Sequence, residues 1–392
     1  MTSGAAKNRK SIRWTHSEIQ RYSRQIIIPD VGLTGQAKLK KAAVLVVGAG
    51  GLGSPAAIYL AAAGVGKIGL IDDDKVDIAS LHRQVLYSTR DVGRKKVRAA
   101  AATLRALNPR VTIKAYDALL TSRNALELFA GYDVILDGTD NFPARYLIND
   151  ACVLSKKPLV HGGVFHFGGQ AAVFDSTKGP CYRCFLPEPP DPDSVLGCAQ
   201  GGVIGVLPGI IGTIQAAEAI KLILKLGTPL VGRMLFYNAL GAVFDEITIK
   251  RNPECQVCGS KPAITSLTVY ERYCGVPAPP GVAEIKRRPP IRGISAREFD
   301  RKRRSDKGLL TLDIREPGEI KGKPLSGALH IPRSQIEARF SEIPRGRDVV
   351  VVCRIGVFSL DVIRFLMDKG YTRLFNLEGG YTAWTYGIGP DQ

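Results

Sequence analysis

The stretch Ala42-Ala-Val-Leu-Val-Val-Gly-Ala-Gly-Gly-Leu-Gly53 decides the fold. Ala42–Val47 is short, apolar and closed by glycines, which reads as a buried strand. Gly48, Gly50 and Gly53, with Gly51 between them, fit G-x-G-x-x-G, and a helix is expected over Leu52–Ala63. Glycines permit a sharp turn and a close backbone approach to phosphate, and the helix N-terminus adds free N–H groups. Working outward, Lys67–Ile71 is a second strand. Asp72, nineteen residues past Gly53, is placed to accept hydrogen bonds from a ribose. Arg94–Leu107 reads as a helix, and Val111–Tyr116, Val134–Asp137 and Pro158–Gly162 as strands. Leu235–Asn238 and Glu246–Lys250 add late strands, expected to be antiparallel. Strands alternating with helices imply an α/β, parallel, doubly wound, Rossmann-like sheet. Upstream, residues 1–14 form a basic arm, and Trp14–Gln36 should include a helix carrying Arg21, Tyr22 and Arg24.

The chain has 392 residues, enough for two domains. The first is expected over residues 15–274. A Pro-rich, basic linker follows over 275–293, and a small α/β domain over 294–392. In the latter, Gly308–Asp313, Asp348–Cys353 and Leu374–Leu377 read as strands and Ser359–Lys369 as a helix. Residues 286–307 hold ten Lys or Arg against three acids, a solvated face or a docking surface for an acidic partner. The formal charge of +18 calls for an anionic partner without choosing one. No run of about 18 apolar residues stands out, so no membrane span is expected. The longest candidate, Gly201–Ile214, is interrupted by five glycines and Pro208. No secretory signal opens the chain, so a cytoplasmic setting is expected. There, eight cysteines point to metal ligands or reactive thiols rather than disulfides. No nucleic-acid motif is present, and the basic residues lack interleaved aromatics.

The glycine turn alone allows a nicotinamide-dependent dehydrogenase. The residues beyond it favour another chemistry. Arg83 and Gln84, Lys96 at a helix start, and Asp140-Asn141 after a strand suit a triphosphate with Mg²⁺, which hydride transfer does not need. Cys181-x-x-Cys184 and Cys255-x-x-Cys258 are two knuckles whose four thiolates suit structural Zn²⁺. Cys353 ends an apolar strand and opens Cys353-Arg-Ile-Gly-Val-Phe-Ser359 ahead of a helix. The helix N-terminus, successive loop N–H groups and Arg354 would favour a thiolate there.

These motifs carry two resemblances. Arg21-Tyr-Ser-Arg24-Gln25, the glycine loop, Arg83-Gln84, Gly93-x-x-Lys96, Asp140-Asn141, Pro180-Cys-Tyr-Arg-Cys184 and Asn252-Pro-x-Cys-x-x-Cys258 resemble the bacterial ubiquitin-activating-like adenylyltransferases of the HesA/MoeB/ThiF type. That family activates the small sulfur carriers of molybdopterin and thiamin synthesis. The resemblance implies ATP contacts at Gly51, Asp72, Arg83, Lys96 and Asp140, with Asp140 also at Mg²⁺. It implies a homodimer in which Arg24 reaches the partner's site. The acceptor is the C-terminal Gly-Gly carboxylate of a ubiquitin-like sulfur carrier. Ser80 stands where the family often has Asn. Cys198 stands where ubiquitin-activating relatives carry a thioester-forming cysteine. Residues of about 290–392 resemble a rhodanese domain through Leu312-Asp313-Ile-Arg315-Glu316, Gly327-Ala-Leu-His330-Ile331-Pro332, the Cys353 loop and Leu377-Glu-Gly-Gly-Tyr381-x-x-Trp384. This implies a Cys353 persulfide, loaded by a persulfide or thiosulfate donor. The apolar Val357-Phe358 pair differs from the polar residues some rhodaneses show there. The carriers of molybdopterin, thiamin, cysteine and tRNA thiolation fit equally.

Overall fold

The computed structural model describes residues 13–188, 202–267, 270, 291–306, 308–320, 324–356 and 358–388. The first unit opens with α1 (His16–Ile26), started by a capping box in which the Thr15 side chain and Glu18 satisfy each other's backbone N–H groups. It continues through α2 (Gly32–Lys41), β1 (Ala43–Val47), α3 (Gly53–Ala63), β2 (Lys67–Ile71), α4 (Lys96–Leu107), β3 (Thr112–Tyr116), α5 (Ala125–Ala130), β4 (Val134–Asp137) and α6 (Phe142–Ser155). It closes with β5 (Leu159–Phe165), β6 (Gly168–Phe174), α7 (Tyr182–Phe185), α8 (Val206–Leu224), β7 (Arg233–Asn238) and β8 (Val243–Thr248).

The strands form one eight-stranded sheet in the order β3-β2-β1-β4-β5-β6-β7-β8. β3 to β5 are parallel and β6 to β8 antiparallel. β1 reads as a continuous apolar run because both of its faces are covered. Val44 and Val46 enter one core with Leu60, Ile68 and Leu104, while Leu45 and Val47 enter the other with Phe129, Tyr146 and Ile148. Fully burying each large apolar side chain contributes about 1.5–3 kcal/mol.

Helices α5, α6 and α7 add to the expected elements, and β6 and α8 depart most from the expectation. β6 joins the sheet through a Gly-Gly-Gln-Ala-Ala stretch poor in β-branched residues. α8 runs through the region where glycines and Pro208 were read as interruptions. It is the one helix among the described residues long and apolar enough to cross a membrane by length and composition. Its glycines serve packing: a Cβ on Gly212 would lie 2.4 Å from the Leu52 carbonyl oxygen. α8 lies against α3 and β5, with Leu207, Ile211, Ala216 and Ala219 buried.

The second unit contains β9 (Arg292–Ile294), α9 (Ala296–Ser305), β10 (Leu310–Asp313), α10 (Pro317–Ile320), β11 (Leu329–His330), α11 (Ile336–Arg339), β12 (Val349–Val352), α12 (Phe358–Asp368), β13 (Leu374–Leu377) and α13 (Gly380–Ile388). Its sheet is parallel, in the order β11-β10-β12-β13-β9. Apolar residues fill both of its faces, with Val349 and Val351 on one and Val350 and Val352 on the other. The expected basic arm up to residue 12, the linker over 275–290, Cys198 and Cys274 lie outside the described residues.

Candidate functional site

The glycine turn sits where β1 meets α3. Gly48 has φ +86°, and a Cβ there would press on the Gly138 carbonyl oxygen at 2.9 Å. A Cβ on Gly53 would lie 2.0 Å from the Gly48 oxygen, so the turn tolerates no side chain there. Gly50 and Gly51 face Gln84 and Pro208, and the Gly51 position also adjoins Arg83. The N-terminal turn of α8 therefore walls the site, a contribution the sequence did not signal.

Asp72 leaves the end of β2 and accepts the Ala49 N–H at 2.8 Å and the Asp74 N–H at 2.9 Å. Lys96, the first residue of α4, lies 2.7 Å from Asp74 and 3.9 Å from Asp72. Burial pushes the Asp72 carboxyl up, outweighing the pull of Lys96 and the two N–H donors. Arg83 touches His82 Nε2 at 3.0 Å and the Ala79 carbonyl at 3.3 Å. Ser80 acts through its backbone, its carbonyl accepting the N–H groups of Arg83 and Gln84. Cations thus gather beside a backbone cradle, as a phosphate chain requires.

Asp140 is exposed at the end of the loop following β4. Asn141 serves the fold, since its side chain caps α6 by accepting the Ala144 N–H at 2.9 Å. Behind this loop lies a buried chain that the sequence did not announce. Gln170 Nε2 lies 3.3 Å from His161 Nε2, and His161 Nδ1 lies 2.9 Å from Asp137. The other Asp137 oxygen accepts the Thr139 hydroxyl and N–H. Burial holds His161 below the ordinary imidazole value. Burial would raise Asp137, but His161, Arg145 and Thr139 outweigh it and keep the carboxyl below its usual range. The pair is a neutral imidazole donating to a carboxylate.

Arg24 is exposed on α1, whose Gln25 sits at the end of α3 opposite the glycine turn. Its neighbour Gln25 bonds the Ala63 carbonyl at the last residue of α3, while Gly53 is the first. Eleven helical residues at about 1.5 Å each separate those ends by roughly 16 Å.

The two cysteine knuckles meet. Cys181 Sγ lies 3.6 Å from Cys255 and 3.9 Å from Cys184, and Cys184 lies 3.4 Å from Cys258. Four thiolates about 2.3 Å from one tetrahedral Zn²⁺ would stand about 3.8 Å apart, so the set fits. The Asn252 N–H points at Cys184 Sγ, and Arg251 binds the Cys258 carbonyl, fixing the second knuckle.

In the second unit, Cys353 follows β12 and faces the start of α12. The Gly356 N–H donates to its sulfur at 3.1 Å. Ser359 Oγ lies 3.4 Å away and hydrogen-bonds Asn376. Gly356 has φ +77° and touches Gly379, while the Tyr381 and Thr382 N–H groups bond the Cys353 and Arg354 carbonyls. Arg354, expected to face the sulfur, turns instead to Asp245 of the first unit.

The ThiF family profile matches residues 22–257, and a rhodanese-like domain profile matches residues 295–386. A sulfur carrier protein adenylyltransferase of Thermus thermophilus is 52% identical over 270 residues, covering 68% of this chain and 100% of that one. The adenylyltransferase/sulfurtransferase MoeZ of Mycobacterium tuberculosis is 42% identical over 383 residues, covering 96% of this chain and 95% of that one. The adenylyltransferase and sulfurtransferase MOCS3 of Mus musculus is 41% identical over 394 residues, covering 94% and 86%. Escherichia coli MccB with ATP superimposes with TM-score 0.54 at 25% identity, over 61% of this chain and 73% of that chain. The profile spans more than half of the chain, and relatives match along both units. The chain therefore belongs to the ThiF family, in the branch that carries a rhodanese-like domain at its C-terminal end.

Proposed function

We propose that the protein adenylates the C-terminal Gly-Gly carboxylate of a ubiquitin-like sulfur carrier, then places sulfur on the activated carbonyl. Adenylyltransferase with sulfurtransferase is the enzyme class of its relatives across both units. The observation that carries the reading is Lys96 between Asp72 and Asp74 at the mouth of the glycine turn. A dehydrogenase, which binds no triphosphate, has no use for a cation there.

In this reading the glycine turn and α3 N-terminus bind the phosphates, and Arg83, Lys96 and the partner's copy of Arg24 stabilise their charge. Asp140 would hold Mg²⁺, which would neutralise the phosphates and organise the leaving pyrophosphate. The carrier carboxylate attacks the α-phosphorus and pyrophosphate leaves, giving an acyl-adenylate. Separately, the Cys353 thiolate takes the outer sulfur of a thiosulfate-type donor, breaking its S–S bond and releasing sulfite. The terminal persulfide sulfur attacks the acyl carbon, and AMP leaves with the electron pair of the broken C–O bond. A second thiol, Cys198 or an external reductant, then attacks the Cys353 sulfur. That step frees the carrier thiocarboxylate and leaves a disulfide at Cys353. Zn²⁺ on Cys181, Cys184, Cys255 and Cys258 has a structural role, and reduced thiols of this kind suit a cytoplasmic setting. Domain limits of 15–274 and 294–392 enclose all of these groups.

The test is to mix the protein, Mg-ATP, a Gly-Gly carrier and thiosulfate and weigh the carrier. A gain equal to one oxygen exchanged for sulfur supports the reading. An unchanged carrier, with ATP present and Cys353 unmodified by side reactions, overturns it.

A further inference from the structure

The sulfur loop does not face open solvent. Cys353 is 2% exposed. The Arg354 guanidinium pairs with Asp245 on β8 and reaches the Glu246 carbonyl at 3.4 Å. The two paired side chains keep only 15% and 27% of their exposure. Phe358 meets Phe185 edge-on, with ring centroids 5.6 Å apart, and Ile355 packs on the same first-unit core. Phe185 belongs to α7, which also carries Cys184, so the four-cysteine site fixes the face on which Phe358 lands. α13 adds contacts with β7.

The position of this contact matters as much as its existence. Asp245 lies opposite Phe236, on the edge strand of the sheet. β8 is four strands from β4, whose loop carries Asp140. At about 4.8 Å per strand that is roughly 19 Å across the sheet. The docked loop is thus set away from the phosphate cradle. The Arg354 guanidinium is also committed to Asp245, so an anionic sulfur donor approaching Cys353 meets no free cation from Arg354.

We propose that the β8 edge at Asp245, with Phe185 beside it, is a docking surface for the sulfur loop of the same chain. The docked loop is a shielded state, and Cys353 takes up and hands on sulfur only after Arg354 leaves Asp245. The sulfur role of Cys353 rests on the function proposed above, whereas the docking surface does not depend on it. Apolar contact between Phe358 and Phe185 sets the position, and the ion pair supplies a polar latch that ionic strength weakens.

The test uses the full chain and iodoacetamide, which alkylates a thiol with loss of iodide, read on the Cys353 peptide by mass spectrometry. Asp245→Asn removes the latch charge, and Cys353 should label about fivefold faster. The charge swap Arg354→Asp with Asp245→Arg should return the rate to that of the wild type. Carrier-dependent pyrophosphate exchange should be unchanged in Asp245→Asn, which shows that the first unit is intact. Equal labelling of wild type and Asp245→Asn overturns the proposal, as does a swap that labels as fast as the single variant. If labelling responds to Asp245 while thiosulfate never loads Cys353, the docking surface stands and the sulfur reading falls.

Discussion

His161 Nδ1 lies 2.9 Å from Asp137 in a site closed to solvent, one residue before the loop that leads to Asp140. The pair predicts a pH signature. The folded chain holds His161 below the free value of 6.5. In mild acid the unfolded chain therefore binds a proton that the folded chain refuses. The stabilisation is complete above about pH 6.5 and is lost as pH falls towards the folded value. The urea midpoint of the first unit should fall between about pH 7.5 and 5.5. His161→Asn keeps a donor near Asp137 but cannot titrate there. It should lower the midpoint at neutral pH by about 1–3 kcal/mol of stability and flatten the slope. A variant with the wild-type slope would assign the titration to another group.

The four sulfurs predict a bound metal with a thermodynamic effect. Purified protein should carry one zinc per chain by elemental analysis. A strong chelator, or Cys184→Ser, should lower the melting temperature by several degrees, because binding at a site absent from the unfolded chain adds directly to folding stability. Zinc-free protein with an unchanged melting temperature would show that the thiols pack well without metal.

The parallel half of the sheet was legible because β1, β2 and β4 are buried on both faces and therefore apolar apart from Lys67 and Asp137 at strand ends. β6 was not, since close packing there selects small residues: a Cβ on Gly169 would lie 2.4 Å from Ile211. The same demand hid α8, whose Gly212 looked like a break and is a contact with Leu52. In the site, the glycine turn, Asp72 and Lys96 were readable from spacing because each sits at a strand end or helix start. His161 was not, because a lone histidine in a strand declares no partner until the fold brings Asp137 beside it. The Arg354–Asp245 pair joins residues 109 positions apart, beyond any local pattern.

The distance between Arg24 and its own glycine turn predicts sharing between protomers. Arg24→Ala and Lys96→Ala should each reduce carrier-dependent pyrophosphate exchange by about 100-fold, the usual cost of losing a charge-stabilising donor. Mixed and allowed to exchange subunits, the two variants of the proposed homodimer should form heterodimers with one intact site. The mixture should then regain up to about a quarter of wild-type activity, since random exchange makes half of the dimers mixed and each has one intact site of two, well above either variant alone. Failure to complement, with subunit exchange verified by mass, would require Arg24 to act on its own chain or not at all.

Cys353 and the phosphate cradle belong to separate sheets, so their chemistries should separate cleanly. Cys353→Ser is nearly isosteric, and its hydroxyl can still accept the Gly356 N–H, so the fold should hold. Serine cannot carry a sulfane sulfur. The variant should keep pyrophosphate exchange within about twofold of wild type, since nothing in the cradle touches the loop. Thiocarboxylate formation from thiosulfate should fall below detection. With sulfide supplied directly, the acyl-adenylate made by the first unit remains open to attack, and thiocarboxylate should reappear without Cys353. Rescue by sulfide at the wild-type rate places Cys353 in delivery alone. Loss of exchange in the same variant would instead show that the second unit shapes the adenylation site, and would join two reactions that the fold holds apart.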